Sequence, residues 1–120
     1  MEAKPYYIYI ARCRDGSLYT GIAVDPVRRL RQHVLGAPAC ARYTRSHPVC
    51  ALEGLWYAEN KSAALRMERA VKSLTHAKKQ RLLQYPELWQ EILPALAAEP
   101  VLPVSREKRA EVAEGVWSHE

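Results

Sequence analysis

Tyr9, Tyr19, Arg29, His33 and Glu68 are the residues of this chain whose types and order could do chemistry together. A glutamate supplies the oxygen that a hard divalent cation needs, and Mg²⁺ bound by a single carboxylate keeps several waters. A cation held in that way polarises a phosphoryl oxygen and stabilises the leaving group. A guanidinium pairs with a phosphate and offsets charge that develops in the transition state. A phenol titrates at about 10, so it serves as a base near neutral pH only beside cations. The histidine could hydrogen-bond a tyrosine or the phosphate, in either charge state. Together these are the parts for hydrolysis of a phosphodiester.

The elements that must position them begin with a hairpin over residues 6–23. Residues 6–13 are aromatic and β-branched, which suits a pleated, half-buried surface. Asp15-Gly16 is a turn signal. A two-residue loop would set Tyr9 and Tyr19 on opposite faces. A three-residue loop of Arg14, Asp15 and Gly16, with Gly16 left-handed, pairs Cys13 with Ser17. Tyr9 then lies opposite Gly21, both tyrosines share a face, and Gly21 leaves space beside Tyr9. We expect the second register.

A helix should follow, with Asp25 as N-cap, Pro26 at its first position and Gly36 closing it. Val27, Leu30 and Val34 form its apolar stripe. Arg29 and His33, four apart, are neighbours on a face well away from that stripe. They are available to a ligand there, or they belong to a solvated basic face with Arg28 and Arg31. A second helix is expected over residues 63–74, capped by Ser62, with Ala64, Met67, Val71 and Leu74 inward. Glu68 falls at the edge of that stripe, where a carboxylate is costly without a cation or donors. Its other reading is an ion pair with Lys72, four residues on.

Residues 37–48 read as a loop carrying Arg42, Tyr43, Arg45 and His47. Basic residues beside an aromatic suit a nucleic-acid strand, with bases stacking and phosphates pairing. Residues 49–58 read as a third strand, with Gly54 marking a bulge and Trp56 in the core. Thr75 should cap a third helix over 76–85, and Pro86 should start a short fourth one docked by Trp89. Residues 95–104, with Pro100 and Pro103, read as a linker. Residues 105–115 could form one isolated helix, marginal without packing, and the last fifteen or so residues are expected to pack loosely.

One hundred and twenty residues suit one domain with a modest core. No run of apolar residues reaches transmembrane length, and no signal peptide is evident. Three cysteines without close spacing fit a reducing cytoplasm and argue against a zinc site or a disulfide framework. The net charge of +5 is uneven: residues 1–84 carry fifteen Lys/Arg against six Asp/Glu, and residues 85–120 carry three against seven. The basic part favours a polyanion such as nucleic acid, without sequence preference.

Tyr7-Ile8-Tyr9, followed ten residues later by Tyr19-Thr20-Gly21, resembles the paired signature of the GIY-YIG nuclease family, with Tyr7 where the family name has Gly. The resemblance covers residues 6–83, takes in Arg29, His33 and Glu68, and is strongest to small stand-alone bacterial members. It implies an endonuclease with Tyr9 as general base, Tyr19 positioning water or phosphate, Arg29 on the scissile phosphate and Glu68 holding Mg²⁺ or Mn²⁺. Arg28, Arg31, Arg42, Tyr43, Arg45 and Lys72 are the expected nucleic-acid contacts. The expected fold is α/β, a mainly antiparallel three-stranded sheet flanked by helices. Residues 1–93 would form the nuclease domain, and 94–120 a linker and acidic tail. The substrate would be DNA rather than RNA, in repair or nucleic-acid turnover, with a partner or homodimer for double-strand cutting. A nucleic-acid-binding module without catalysis is the rival.

Overall fold

The computed structural model describes residues 4–36 and 42–118. Strands β1 (Tyr6–Cys13) and β2 (Leu18–Ala23) form the hairpin, and helix α1 (Pro26–Leu35) follows directly. A short helix α2 (Arg42–Ser46) leads into strand β3 (Val49–Ala58). Helices α3 (Lys61–Lys72), α4 (His76–Gln84) and α5 (Trp89–Ile92) come next, with a 3₁₀ turn at Pro86–Leu88 before α5. A second 3₁₀ turn at Pro94–Leu96, strand β4 (Val101–Pro103) and helix α6 (Arg106–Trp117) complete the described chain.

The antiparallel sheet has the order β2-β1-β3-β4. Strand period sorts β1 into two faces. Ile8 and Ile10 join Trp56 under Ala64, Met67 and Val71 of α3, Leu82 of α4 and Trp89 of α5. Tyr9, Ala11 and Cys13 face the other way, against Leu30 of α1 and Val112 and Val116 of α6. The sheet is thus the middle of three layers, each face being closed by helices. Trp56 is core, as its sequence context implied, and Trp89 is the buried anchor of α5. β3 carries two register irregularities against β1, opposite Ile10/Ala11 and Arg12/Cys13. The first leaves Glu53 beside Gly54 as the unpaired residue, so the bulge falls where Gly54 marked it.

Several expectations need correction. The sheet has four strands, not three. Three residues are too few to show alternation, and the flanking prolines gave a linker signature. Yet Val101 is buried and pairs with Ala58, while Pro103 sits at the sheet edge where a missing N–H costs little. The separation of 94–120 as linker and tail therefore does not describe the fold. α6 lies on α1, with Gly115 so close to Val27 that an added Cβ would sit 3.3 Å from a Val27 methyl. Ser105 caps α6 by accepting from the Lys108 N–H, at 3.2 Å. α3 begins earlier than expected, because Asn60 rather than Ser62 caps it through the Ala63 N–H, at 2.9 Å. Part of the expected loop 37–48 is helical at α2; residues 37–41 lie outside the described residues. No helix of the described chain is long and apolar enough to cross a membrane.

Candidate active site

The hairpin adopts the three-residue loop. Cys13 N–H donates to the Ser17 carbonyl at 2.8 Å, Gly16 has φ 87°, and the Asp15 carboxylate accepts from the Ser17 N–H at 3.0 Å. Tyr9 pairs with Gly21 and Ala11 with Tyr19. The two tyrosines consequently share one face, ring centroids 6.3 Å apart. The Tyr9 ring lies over Gly21 so closely that a Cβ there would stand 2.6 Å from its Cζ. Glycine is what lets the phenol lie flat against β2.

α1 delivers the next two residues. Asp25 caps it through the Arg28 N–H at 3.1 Å, Pro26 occupies its first turn, and Gly36 ends it at φ 65°. These signals were legible, but the face assignment was not. His33 is only 1% exposed and points inward, with Leu30, instead of lying on a solvated face. The tyrosine face of the sheet and α2 close over it. The Tyr9 hydroxyl lies 2.9 Å from His33 Nε2, and Thr44 Oγ1 lies 2.8 Å from His33 Nδ1. Burial, and then the charge of Arg29, push the His33 pKa down to about 4, so the ring is neutral at pH 7.

Arg29 is half-buried beside this pair and donates from Nη1 to Gln32 Oε1 at 2.7 Å. Its positive charge also acts on the Tyr9 phenol. Burial raises the Tyr9 pKa well above its ordinary value, and the neighbouring Tyr19 and Glu68 add to the rise, while Arg29 opposes it. Arg29 and Glu68 thus act on the phenol in opposite directions. Tyr9 itself is 1% exposed, whereas Tyr19, Arg29 and Glu68 are partly exposed. An incoming phosphate would meet those three first, with Tyr9 and His33 behind them.

Glu68, at the edge of the α3 stripe as expected, has a side chain 18% exposed and lies 3.4 Å from Lys72 Nζ. It is thus in the helix ion pair that offered its other reading, and its charge also bears on the phenol. Among the described residues no group of three or more His, Cys, Asp or Glu gathers that could hold a metal. A single carboxylate fits a hard cation held mainly through water, and does not fit a dehydrated cage.

The expected nucleic-acid contacts divide. Arg28, Arg31, Arg42, Arg45 and Lys72 are all exposed. Arg31 donates to the Ser118 carbonyl at 3.0 Å, at the end of α6, and Lys72 meets Glu68. Tyr43 stacks on Tyr19 at 5.9 Å and on His47 at 3.9 Å, so α2 is joined to the site through rings. Two residues went unrecognised as site residues in the sequence: Gln32, which holds Arg29, and above all the buried Thr44. Thr44 lay inside a stretch read as loop. Only recognition of α2 as a helix, with Thr44 opposite exposed Arg42 and Arg45, would have turned it inward.

Comparison with known proteins identifies the family. The model of the GIY-YIG catalytic domain matches residues 5–81. A UPF0213 protein of Fusobacterium nucleatum is 35% identical over 68% of this chain and 80% of its own. The UPF0213 protein YhbQ of Salmonella typhimurium is 38% identical over 82% of this chain and 95% of its own. The solution NMR structure of a UPF0213 protein from Bacillus halodurans is 40% identical, covers 67% of this chain and 83% of that one, and superposes with a TM-score of 0.44. The chain belongs to the GIY-YIG family of nuclease domains.

Proposed function

We propose that this protein is a metal-dependent endonuclease that hydrolyses phosphodiester bonds in DNA, structure-selectively or without sequence preference, in repair or nucleic-acid turnover. The observation that carries the reading is the Tyr9 phenol, 2.9 Å from the neutral imidazole of His33 and under the influence of both Arg29 and Glu68. A divalent cation such as Mg²⁺ or Mn²⁺, held by Glu68 and water, would supply polarisation of a phosphoryl oxygen and neutralisation of charge. Arg29 binds the scissile phosphate, oriented by Gln32. Tyr19, at the partly exposed rim, orients the phosphate or the attacking water.

Tyr9 is a phenol at neutral pH, because burial opposes its ionisation. It does not need a standing negative charge. As it takes the proton of the attacking water, its own proton passes to His33 Nε2. The water oxygen forms the new P–O bond, the bond to the leaving oxygen breaks, and that oxygen takes a proton from solvent. Exposed Arg28, Arg42 and Arg45 supply phosphate contacts outside the site. One set of these residues serves one strand, so double-strand cutting requires a homodimer, another partner or two events. The family and the reducing-compartment cysteine pattern support a cytoplasmic setting.

The test is a panel of labelled branched, single-stranded and duplex DNA, each with Mg²⁺, Mn²⁺ or EDTA. Cleavage with metal and none with EDTA is expected. Metal-independent retention of intact DNA would replace this reading with a binding module without catalysis, which the existing Glu68–Lys72 pair at 3.4 Å favours.

A further inference from the structure

We propose that Thr44 is a positioning residue: its hydroxyl oxygen accepts from His33 Nδ1–H and so keeps Nε2 bare and facing the Tyr9 hydroxyl. The inference deepens the nuclease reading and rests on it for its kinetic consequence, though not for its structural one.

Both ring nitrogens of His33 are engaged, Nε2 at 2.9 Å from Tyr9 and Nδ1 at 2.8 Å from Thr44. A neutral imidazole has one N–H and one acceptor, so the two contacts must differ in direction. The choice is made at Tyr9. A phenol O–H, which titrates at about 10 in water, is a stronger donor and a weaker acceptor than the aliphatic hydroxyl of threonine. The phenol has its own O–H to place, and Nε2 is within reach as an acceptor. With the proton on Nε2 instead, the weaker acceptor would take the imidazole N–H, and the buried phenol O–H would lose Nε2 as its acceptor. The favoured arrangement is therefore Tyr9 O–H donating to Nε2 and Nδ1–H donating to Thr44.

Threonine suits the second contact because its oxygen accepts without requiring a charge. It is itself 1% exposed, so solvent does not compete for Nδ1. α2 fixes it there, with Tyr43 stacked on Tyr19 from the adjoining position. When the Tyr9 proton moves to Nε2, the ring becomes an imidazolium with two N–H groups. Nδ1–H already has its acceptor, so no rearrangement is needed. The residue thus sets both the tautomer that can receive the proton and the ring's place once it has done so.

Nitrogen-15 NMR of histidine-labelled full-length protein at neutral pH reads the tautomer directly. The wild type and Thr44→Ser should show His33 Nδ1 proton-bearing and Nε2 unprotonated. Thr44→Val, close in shape, should move the ring to the other tautomer or to an average of the two. In nicking assays with Mg²⁺ it should lose about 10–100-fold in kcat, with KM changed by no more than about twofold. Thr44→Ser should recover most of that loss. A wild-type His33 protonated on Nε2 overturns the proposal, and so does a Thr44→Val protein with the wild-type tautomer. If Thr44→Val does not fold, the wild-type and Thr44→Ser spectra decide. If no variant cuts DNA, the nuclease reading fails while the tautomers still decide the role of Thr44.

Discussion

Replacing Gly21 with alanine perturbs the site through one methyl group. The added Cβ would overlap the Tyr9 hydroxyl and lie 2.6 Å from Cζ and 3.1 Å from Cε1. Ordinary carbon contacts begin at about 3.5 Å, so the phenol must retreat by roughly 1 Å. Gly21 does not have positive φ, so alanine imposes no backbone strain there and the cost is one of packing. The ring has little room to retreat, since Tyr9 is 1% exposed and Tyr19 and His33 stand beside it at 6.3 and 6.0 Å. Overpacking of this kind costs about 1–3 kcal/mol. A 1 Å retreat also breaks the 2.9 Å contact with His33 Nε2. Misplacement by that distance can lower a rate about 10²-fold. Gly21→Ala should therefore lose stability in urea melts and nicking activity under Mg²⁺, while its salt-dependent DNA binding persists through the exposed arginines. Wild-type stability together with a wild-type rate would refute the argument, because the methyl group would then have found space that the Tyr9–Gly21 register denies it.

Three further outcomes can be checked. Glu68→Gln should abolish most metal-dependent cleavage with DNA affinity equal or higher; its stability should change by only a few tenths of a kcal/mol, because the Lys72 partner is half exposed, and a wild-type rate would leave Glu68 as a helix ion pair only. His33 titrates at about 4 folded against 6.5 ordinarily, so the unfolded chain binds its proton first; stability present above 6.5 should fall as pH drops through about 4, by at most about 3 kcal/mol, and His33→Gln should flatten that part of the profile in acid melts. Ending the chain at residue 104 removes α6 and uncovers Leu30 and Val27, so the truncated protein should melt lower and lose cleavage, whereas an unchanged melt would restore the reading of a loose tail.

The legible parts of this fold were those with local signals. Asp15-Gly16 with its left-handed glycine fixed the hairpin register, and Asp25, Pro26 and Gly36 bounded α1. The illegible parts depended on what lies across space. The stripe of Val27, Leu30 and Val34 showed α1 one apolar side, but α1 has two neighbours. α6 takes the Val27 side, and the tyrosine face of the sheet takes Leu30 and His33. A buried histidine satisfied by Tyr9 and Thr44 looks polar in the sequence and therefore reads as surface. β4 was lost for a related reason. Its three residues owe their strand to the open edge of β3, and nothing within 101–103 encodes that edge.

The charge asymmetry also acquires a second meaning once α6 is placed. Basic residues of α1 read as contacts for a polyanion, and acidic residues after 85 read as a tail. α6, which lies against α1, is itself balanced, with Arg106, Lys108 and Arg109 beside Glu107, Glu111 and Glu114. Arg31 donates to the Ser118 carbonyl, just past the end of α6, where unpaired carbonyls and the helix dipole concentrate negative potential. Arg109 reaches the Glu53 carbonyl at the β3 bulge, tying α6 to the sheet as well. Arg31 is therefore partly engaged, with N–H groups left over for a phosphate, while exposed Arg28 lies on the same helix and Arg42 and Arg45 on the helix that carries Thr44. Arg31, though exposed, thus helps to hold in place the helix that carries Arg29 and His33. The C-terminal segment is in this sense structural to the basic site: α6 supports α1 from behind, and the sheet and α2 close on the other side.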